Sequence, residues 1–263
     1  MFEKKLVENI KKTLELQEIS YKSVTRPHGR IIINTQCQPD LSRVFGVVSF
    51  SYAIETRADI NSIKAALIEV LPSIKTTFRI TTQRIDKSLP FNSMQLDKEI
   101  GAFVVEKTNK KVSLKDFETE IGIELINKKA YIYTQKIAGP GGLPVGISGN
   151  AALIVNDKYS ILAGLLLLKR GLAIKPVIVS ETVKNQPSEN LLDLLVQYGA
   201  DSVLTLKTME ELEVYLRKNS IIAIGVSDME NNFEYYDMDF LILRPLCGLP
   251  FKIIKEISDN YGL

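Results

Sequence analysis

The residues with the most direct chemical meaning form a turn after an apolar run, Ala151 to Val155. The turn consists of Asn156, Asp157, Lys158, Tyr159 and Ser160. A nucleotide-binding α/β domain places a glycine-rich, hydroxyl-bearing turn here, so that backbone N–H groups can surround a phosphate. This turn has no glycine, Asp157 would repel the anion, and Lys158 alone cannot replace a ring of N–H donors. The sequence therefore predicts a degenerate nucleotide loop and no cofactor, with Ser160 as the N-cap of the next helix.

Other residues capable of chemistry give weaker signals. Cys37 and Cys247 lie far apart in the chain, without metal-ligand spacing and without a basic neighbour that could activate a thiolate. We therefore expect both cysteines to be packing residues. The single histidine, His28, lies in a Pro-His-Gly turn and is expected to be solvated. Asp228 and Glu230 follow the fourth predicted strand of the C-terminal half, where α/β ligands often bind, but without a phosphate loop opposite they indicate a solvated loop.

Basic residues are unevenly distributed along the chain. Residues 61–147 carry 13 Lys and Arg against 9 Asp and Glu, whereas residues 148–263 carry 11 against 15. A polyanion would therefore meet the N-terminal half. A single surface lysine is ordinarily just solvated, but a group of them can hold an RNA phosphate backbone with strong salt dependence and little base specificity. The candidate RNA-binding residues are Arg79, Arg84, Lys87, Lys107, Lys110, Lys111 and Lys136.

Composition narrows the class of protein. Of the 263 residues, 45% are apolar and 24% are charged, as in ordinary globular proteins. No apolar stretch approaches the ~18 residues that a membrane-spanning helix needs. The N-terminus MFEKKLVENIKK is amphipathic and charged, unlike a secretory signal. We therefore expect a cytoplasmic protein with two or three domains and no membrane partner.

Hydrophobic periodicity predicts mixed α and β structure before residue 138 and strands alternating with helices after residue 150. Helices are predicted at Phe2–Leu16, Pro39–Val44, Asp59–Val70 (Asp59 as N-cap), Ser93–Thr108 (Ser93 as N-cap), Ser160–Arg170, Ser188–Tyr198, Thr208–Lys218 and Phe251–Tyr261. Strands are predicted on both sides of Pro27-His28-Gly29 and at Val47–Ile54, Thr76–Arg84, Phe117–Ile126, Lys129–Ile137, Ala151–Val155, Lys175–Ser180, Ser202–Leu206, Ile221–Val226 and Asp239–Leu243.

This order of elements predicts a partial ferredoxin-like unit at residues 1–57 and a further α/β domain at 58–138. The Gly- and Pro-rich segment 139–149 has the composition of a connector. Apolar strands alternating with amphipathic helices then predict a doubly wound parallel α/β domain at 150–263. The predicted fold class is an α+β N-terminal half followed by this doubly wound domain.

Several segments, in order, resemble the tRNA 4-thiouridine synthetase (tRNA sulfurtransferase) family. TTQRIDKSLPFNSMQLDKEIGAFV resembles the centre of a THUMP domain, a tRNA-binding module, and LSRVFGVVSFS is similar to the ferredoxin-like domain that precedes it. GPGGLPVGISG resembles the connector before the ATP-pyrophosphatase domain of that family. SILAGLLLLKRGL and LRPLCGLPFKIIKEISDNYG are similar to the first helix and to the last strand and helix of that domain. The resemblance identifies residues 58–138 as THUMP-like and implies tRNA as the partner.

The family's reaction, as the resemblance implies, adenylates a tRNA uridine and then displaces AMP with sulfur from a protein persulfide. Its Ser-Gly-Gly-x-Asp-Ser loop aligns here only at Ser160. Neither Cys37 nor Cys247 corresponds to the family's catalytic cysteine, which lies beyond Gly262, and the family's first strand would precede Phe2. We therefore expect no catalytic residue in this sequence.

Three hypotheses follow from these observations. The first is a tRNA-binding protein of this family that cannot adenylate tRNA by itself and uses its degenerate ATP-pyrophosphatase domain as a scaffold. The alternative is a divergent tRNA sulfurtransferase that retains ATP- and Mg-dependent thiolation with an external sulfur-carrier protein. The third is an interaction module that docks a separate catalytic protein. The sequence alone leaves open whether the chain is an enzyme.

Overall fold

The structure of the protein, a computed structural model, describes residues 2–85, 92–183, 187–229 and 239–263. The chain divides into two compact units. Unit 1 is formed by Met1–Gln17, Asp40–Val48 and Gly139–Leu263, and unit 2 by Glu18–Pro39 and Ser49–Ala138. Each unit therefore combines stretches that are distant in sequence.

The described elements follow in chain order. The helices are α1 (Phe2–Leu16), α2 (Ile60–Leu67), α3 (Ser93–Thr108), α4 (Lys158–Lys169), α5 (Glu189–Gln197), α6 (Met209–Lys218) and α7 (Phe251–Tyr261). The strands are β1 (Tyr21–Thr25), β2 (Ile32–Thr35), β3 (Ser49–Phe50), β4 (Ile54–Arg57), β5 (Thr77–Arg84), β6 (Lys111–Val112), β7 (Thr119–Ile126), β8 (Lys129–Tyr133), β9 (Ile137–Ala138), β10 (Asn150–Ile154), β11 (Ala173–Val179), β12 (Leu204–Leu206), β13 (Ala223–Gly225) and β14 (Leu241–Leu243). Within the described residues, no helix has both the length and the apolar character to cross a membrane.

Unit 2 is built around a mixed sheet in the order β4-β8-β7-β5-β6. Residues alternate along β5, so that Phe78 and Ile80 are buried, while Arg79 and Thr81 point to the opposite face. Helices α2 and α3 cover the buried face with apolar side chains such as Ile63 and Ile100, both fully buried. The other face therefore carries the polar side chains of β5, β7 and β8.

Unit 1 contains a five-stranded sheet in the order β12-β11-β10-β13-β14, and all its strand pairs are parallel. Leu153 of β10 packs in one cluster with α4 and α5, whereas Ala152 and Ile154 face the other way, into a cluster with α6. Helices therefore cover both faces. The prediction of a doubly wound parallel α/β domain is confirmed.

Residues 139–149 pack within unit 1 through backbone hydrogen bonds. The Gly141 N–H donates to Val47 O (2.9 Å), and Leu143 N–H donates to Lys169 O (2.9 Å). A Cβ at Gly139 would lie 2.2 Å from Val47 O. Glycine at this position therefore allows the close approach of two backbone segments.

Several predicted elements are wrong in detail. Residues 39–44 form turns instead of a helix, because the Asp40 side chain accepts a hydrogen bond from Ser42 N (2.8 Å) and competes with helical bonding. The predicted strand Val47–Ile54 is interrupted, since β3 pairs with β9 and β4 pairs with β8. The N-cap of α3 is Asn92, not Ser93, because Asn92 and Gln95 form a capping box. The N-cap prediction for Asp59 is confirmed.

The turn between β7 and β8 holds a lysine in the left-handed backbone region. Asn127 and Lys128 have φ values of 50° and 63°, the left-handed region that a two-residue type I′ turn requires. Asparagine tolerates this region, but lysine carries a Cβ penalty. We expect Lys128→Gly to raise the free energy of unfolding of unit 2 by about 0.5–1 kcal/mol, measured by urea denaturation. A matched Lys115→Gly substitution at an exposed loop position should not stabilise the protein.

Candidate functional site

The turn after β10 is closed by its own side chains. Asp157 is the N-cap of α4, and its Oδ1 accepts hydrogen bonds from the backbone N–H (3.0 Å) and Oγ (3.1 Å) of Ser160. Ser160 Oγ in turn accepts from the N–H groups of Asn156 (3.1 Å) and Asp157 (3.3 Å). The prediction that Ser160 is the N-cap is therefore wrong, because Ser160 occupies the third helical position and completes a capping box.

This network extends across the sheet to the turn after β13. Ser227 Oγ donates to Asp157 Oδ1 (3.3 Å) and lies 3.2 Å from Ser160 Oγ. The connections of the sheet reverse direction between β10 and β13, so that these two carboxyl ends form the topological switch point where α/β ligands bind. Ser160 is fully buried here.

The arrangement does not fit a triphosphate at the N-terminus of α4. A phosphate at this position needs free N–H donors and the positive end of the helix dipole. Here the Asp157 carboxylate takes the N–H of Ser160, and the Ser160 hydroxyl takes two further N–H groups. Lys158 is exposed, with its ammonium 5.2 Å from the centre of the Tyr159 ring. The Asp157 carboxylate therefore lies at the N-terminus of α4, where a bound phosphate would place its negative charge.

The loop after β13 corrects a further expectation. Asp228 is buried, and its Oδ2 accepts a hydrogen bond from Arg244 Nε at 2.9 Å. The prediction of a solvated loop at this position is therefore wrong for Asp228. Glu230 lies outside the described residues. This ion pair, in which Asp228 is buried and Arg244 is partly exposed, connects the turn after β13 to the segment after β14.

The cysteines and the histidine do not contribute to this network. Cys37 and Cys247 are both exposed, so the prediction that they are packing residues is wrong. His28 is exposed and its Nε2 lies 3.1 Å from Asn127 Oδ1, in agreement with a structural role in a turn. Among the residues described, no group of three or more His, Cys, Asp or Glu could hold a metal ion.

Two of the predicted RNA-binding residues, Lys110 and Lys111, lie together at one end of unit 2. Lys110 and Lys111 follow α3, and a shallow depression is lined by them together with Lys75 and Asn109. Asn109 ends α3 with φ +55°, which turns the chain into β6, and Lys111 N–H then donates to Thr76 O (3.2 Å). We call Lys75, Lys110 and Lys111 the lysine edge.

The charges of the lysine edge are largely uncompensated. Lys75 and Lys111 are exposed and form no ion pair with any residue that the structure describes. The Lys110 ammonium donates to the carbonyl oxygen of Ile74, which leaves its charge in place. Glu118 lies close by, and its carboxylate accepts from the backbone N–H groups of Thr76 (3.0 Å) and Thr77 (3.3 Å). The edge can therefore contact an external anion with three cations.

The other predicted RNA-binding residues do not belong to the lysine edge. Arg79 Nη2 donates to Glu120 Oε1 (2.6 Å), and its guanidinium lies 4.1 Å from the centre of the Phe117 ring. Lys107 Nζ lies 3.3 Å from Glu106 Oε1. The side chain of Arg84 is partly buried, while that of Lys136 is exposed. Lys87 lies outside the described residues.

Lys75 was missed by sequence reasoning. It is separated from Lys110 by 35 positions, and the parallel pairing of β5 with β6 brings the two regions together. Only a two-residue strand, β6, carries this pairing, and such a strand has no detectable periodicity. Ser227 and Arg244 were missed for a related reason. Ser227 donates to Asp157, and Arg244 donates to Asp228, and in each pair the two residues follow different strands of the sheet.

The stability of unit 2 is expected to depend on pH through Glu120, which lies on the polar face of the sheet. A hydrogen bond from Thr81 Oγ1 (2.6 Å) lowers the pKa of Glu120 below its ordinary value against desolvation, and the hydrogen bond and positive charge of Arg79 lower it further. A lowered folded pKa stabilises the unit above the unfolded pKa of about 4.3, and this stability is lost as pH falls through the folded pKa. We expect Glu120→Gln to be less stable than wild type at neutral pH but to lose less stability on acidification. Urea midpoints at neutral and acidic pH measure this difference, and equal losses in both proteins would contradict it.

Comparisons with known proteins identify two domain families in the first 135 residues of the chain. The family model of the ThiI ferredoxin-like domain matches residues 1–51, and that of the THUMP domain matches residues 57–135. A Methanocaldococcus jannaschii protein named "Probable tRNA sulfurtransferase" is 34% identical, with 97% of this chain and 75% of that protein covered. A protein of the same name from Thermococcus kodakarensis is 35% identical, with 67% of this chain and 49% of that protein covered.

Two solved structures share the fold. The crystal structure of PH1313 from Pyrococcus horikoshii Ot3 superimposes with a TM-score of 0.87 at 30% identity, covering 100% of this chain and 95% of that one. A 4-thiouridine synthetase crystallised with RNA and bound ATP has a TM-score of 0.79 at 21% identity, covering 99% and 80%. Several curated relatives are longer: this chain spans 49% of the Thermococcus protein and 60% of one from Caldanaerobacter subterraneus.

Proposed function

Because the chain belongs to the tRNA sulfurtransferase family, we propose that it binds tRNA through unit 2 and holds no triphosphate at the N-terminus of α4. It then acts as a tRNA-binding member of the family that does not adenylate tRNA by itself. A cytoplasmic location, where tRNA is modified, is part of this proposal.

The lysine edge supports the RNA-binding part. Lys75, Lys110 and Lys111 present three cations at one depression of unit 2, within the residues that match the THUMP domain. Lysine ammonium groups contact phosphates as point charges and release condensed counterions, so they contribute affinity without base specificity. Arg79 contributes less, because Glu120 already neutralises it.

The single observation that carries the catalytic part is the position of Asp157. Its carboxylate accepts a hydrogen bond from Ser160 N–H at the start of α4. This is the place where a family member would hold pyrophosphate. A transferred phosphoryl group needs preorganised donors where charge develops. In this chain those donors are satisfied within the protein.

The alternative is a divergent sulfurtransferase that uses ATP and Mg²⁺ with an external sulfur carrier. One observation favours keeping it: the switch point retains polar side chains, Asp228 and Arg244, beside Ser227. Release of pyrophosphate from ATP in the presence of tRNA would support this alternative. Association with a separate catalytic protein is compatible with both candidates.

Filter binding of tRNA at increasing KCl concentration tests the proposed function. We expect log K to fall linearly with log salt, with a slope of about −2 to −3 if the three lysines each neutralise a phosphate. Absence of binding at low salt, or binding that does not respond to salt, would contradict the proposal.

A further inference from the structure

The β1–β2 hairpin belongs to unit 2 but has no part in its hydrophobic core. Among the described strands, β1 and β2 pair with each other in a two-stranded sheet that is separate from the five-stranded sheet. None of residues 18–38 is buried, and the apolar cluster under α2 and α3 contains none of them. A two-stranded hairpin alone is marginally stable in water. Its contacts with the five-stranded sheet therefore decide whether it stays in place.

Polar side chains connect the tip of the hairpin to the five-stranded sheet. Arg30 Nε donates to Glu124 Oε2 (2.8 Å) on β7, and Arg30 Nη2 donates to Gln83 Oε1 (3.1 Å) on β5. His28 Nε2 lies 3.1 Å from Asn127 Oδ1 in the β7–β8 turn. The Glu124 side chain is 17% exposed and that of Arg30 is 39% exposed, so water screens this ion pair only in part. Arg30 therefore links the hairpin to two strands of the sheet at once.

An open cavity of about 390 Å³ lies between the hairpin and the sheet. Its lining includes Pro27 and Ile32 from the hairpin and Ile126 and Tyr131 from the sheet. A space of this size has room for several water molecules. The apolar side chains on its two sides therefore line a gap instead of packing into one core, and they contribute little to holding the hairpin down.

The base of the hairpin is closed by hydrogen bonds that do not involve the five-stranded sheet. Thr35 Oγ1 donates to Ser20 O (2.8 Å). Just outside the hairpin, Gln17 Nε2 donates to Asp40 O (2.7 Å), and Asp40 N–H donates to Gln17 Oε1 (3.0 Å). The pairing register of β1 with β2 shifts directly after Tyr21, and such an irregularity bends a strand. The two strands are therefore fastened to each other at the base, beside a point where β1 can bend.

We propose that the β1–β2 hairpin is a strap that moves away from the five-stranded sheet as one unit, bending at its base, and that Arg30 is the latch that holds it closed. An element with few buried apolar contacts opens locally at a lower free energy than the whole unit unfolds. The hairpin meets this condition, whereas β7 belongs to the core, with Ile121 and Ile123 fully buried. Opening of the strap gives access to the cavity and to the polar face of the sheet.

Amide hydrogen exchange of the full chain, without RNA, tests the inference. A detached hairpin loses its support, so both of its strands should become open to exchange together. In wild type, β1 and β2 should therefore exchange through one shared opening, and faster than β7, which exchanges only when the core opens. We expect Arg30→Ala to accelerate exchange in β1 and β2 by the same factor, about 10-fold, and to change exchange in β7 less than about 2-fold.

Arg26→Ala is the matched control, because Arg26 lies in the same hairpin, is exposed and forms no ion pair with a residue that the structure describes. It removes the same charge and should change exchange in β1 and β2 less than about 2-fold. Glu124→Gln should itself accelerate exchange of the hairpin, and adding Arg30→Ala to it should accelerate exchange less than in wild type, because the two residues act as one latch.

Four outcomes would overturn the inference. Exchange of wild-type β1 and β2 only together with β7 would show that the hairpin does not open by itself. Acceleration by Arg30→Ala that is confined to residues 25–32 would indicate fraying of the tip. Equal effects of the two arginine variants, or fully additive effects of Arg30→Ala and Glu124→Gln, would remove the role of the latch. Circular dichroism of each variant verifies its fold.

Discussion

Replacing Lys75, Lys110 and Lys111 together by alanine is expected to lower tRNA affinity about 30- to 100-fold near 0.1 M salt. Each ammonium that contacts a phosphate displaces counterions condensed on the RNA. The loss of three contacts should therefore also reduce the slope of log K against log salt by about 2 to 3. Filter binding over a range of KCl concentrations measures both quantities. The effect should be similar for different tRNA sequences, because phosphate contacts carry no base information.

A matched triple variant separates local contacts from net charge. Lys218, Lys252 and Lys255 are exposed lysines of unit 1, on α6 and α7. Their replacement by alanine changes the net charge by the same amount and should alter tRNA affinity less than about 3-fold. If both triple variants weakened binding equally, the lysine edge would have no special role.

Replacing Ser160 by alanine is expected to loosen the start of α4 by about 2 kcal/mol. The substitution leaves the N–H groups of Asn156 and Asp157 without their acceptor, and it removes a donor to the Asp157 carboxylate. Because Ser160 is fully buried, water does not replace these bonds. Amide hydrogen exchange in residues 150–170 should then be about 30-fold faster.

Ser188 is the matched control for this experiment. It is the N-cap of α5, but its side chain forms no capping hydrogen bond. Ser188→Ala should therefore leave exchange in α5 nearly unchanged. Unaltered exchange at α4 in Ser160→Ala would show that the closed network contributes little to the turn.

Much of the fold could be predicted because local signals and tertiary packing agree. The limits of α1, α3 and α7 follow from their apolar periodicity, and Asp59 caps α2 as its side-chain chemistry indicates. The doubly wound sheet follows from the repeated strand and helix pattern. Some failures lie where the outcome depends on distant partners, as in β6 and β9, which pair over only two residues. Others, such as the helix predicted at residues 39–44, depend on competition between local hydrogen bonds.

The candidate site could be predicted only in part, because both local and distant contacts decide it. The absence of glycine from the turn after β10 can be read from the sequence, but the role of Asp157 as N-cap depends on a choice between neighbouring oxygen acceptors. The exposure of Cys37 and Cys247 contradicts the usual burial of free cysteine. Arg79 was predicted as a phosphate ligand, whereas its pairing with Glu120 requires knowledge of the register between β5 and β7.

Calorimetric titration of Mg-ATP into the chain, free and saturated with tRNA, tests the central claim most directly. Because Asp157 and Ser160 already satisfy the donors at the N-terminus of α4, we expect only heats of dilution up to millimolar nucleotide in both titrations. A saturable heat in either titration would contradict the account and would favour the ATP-dependent alternative.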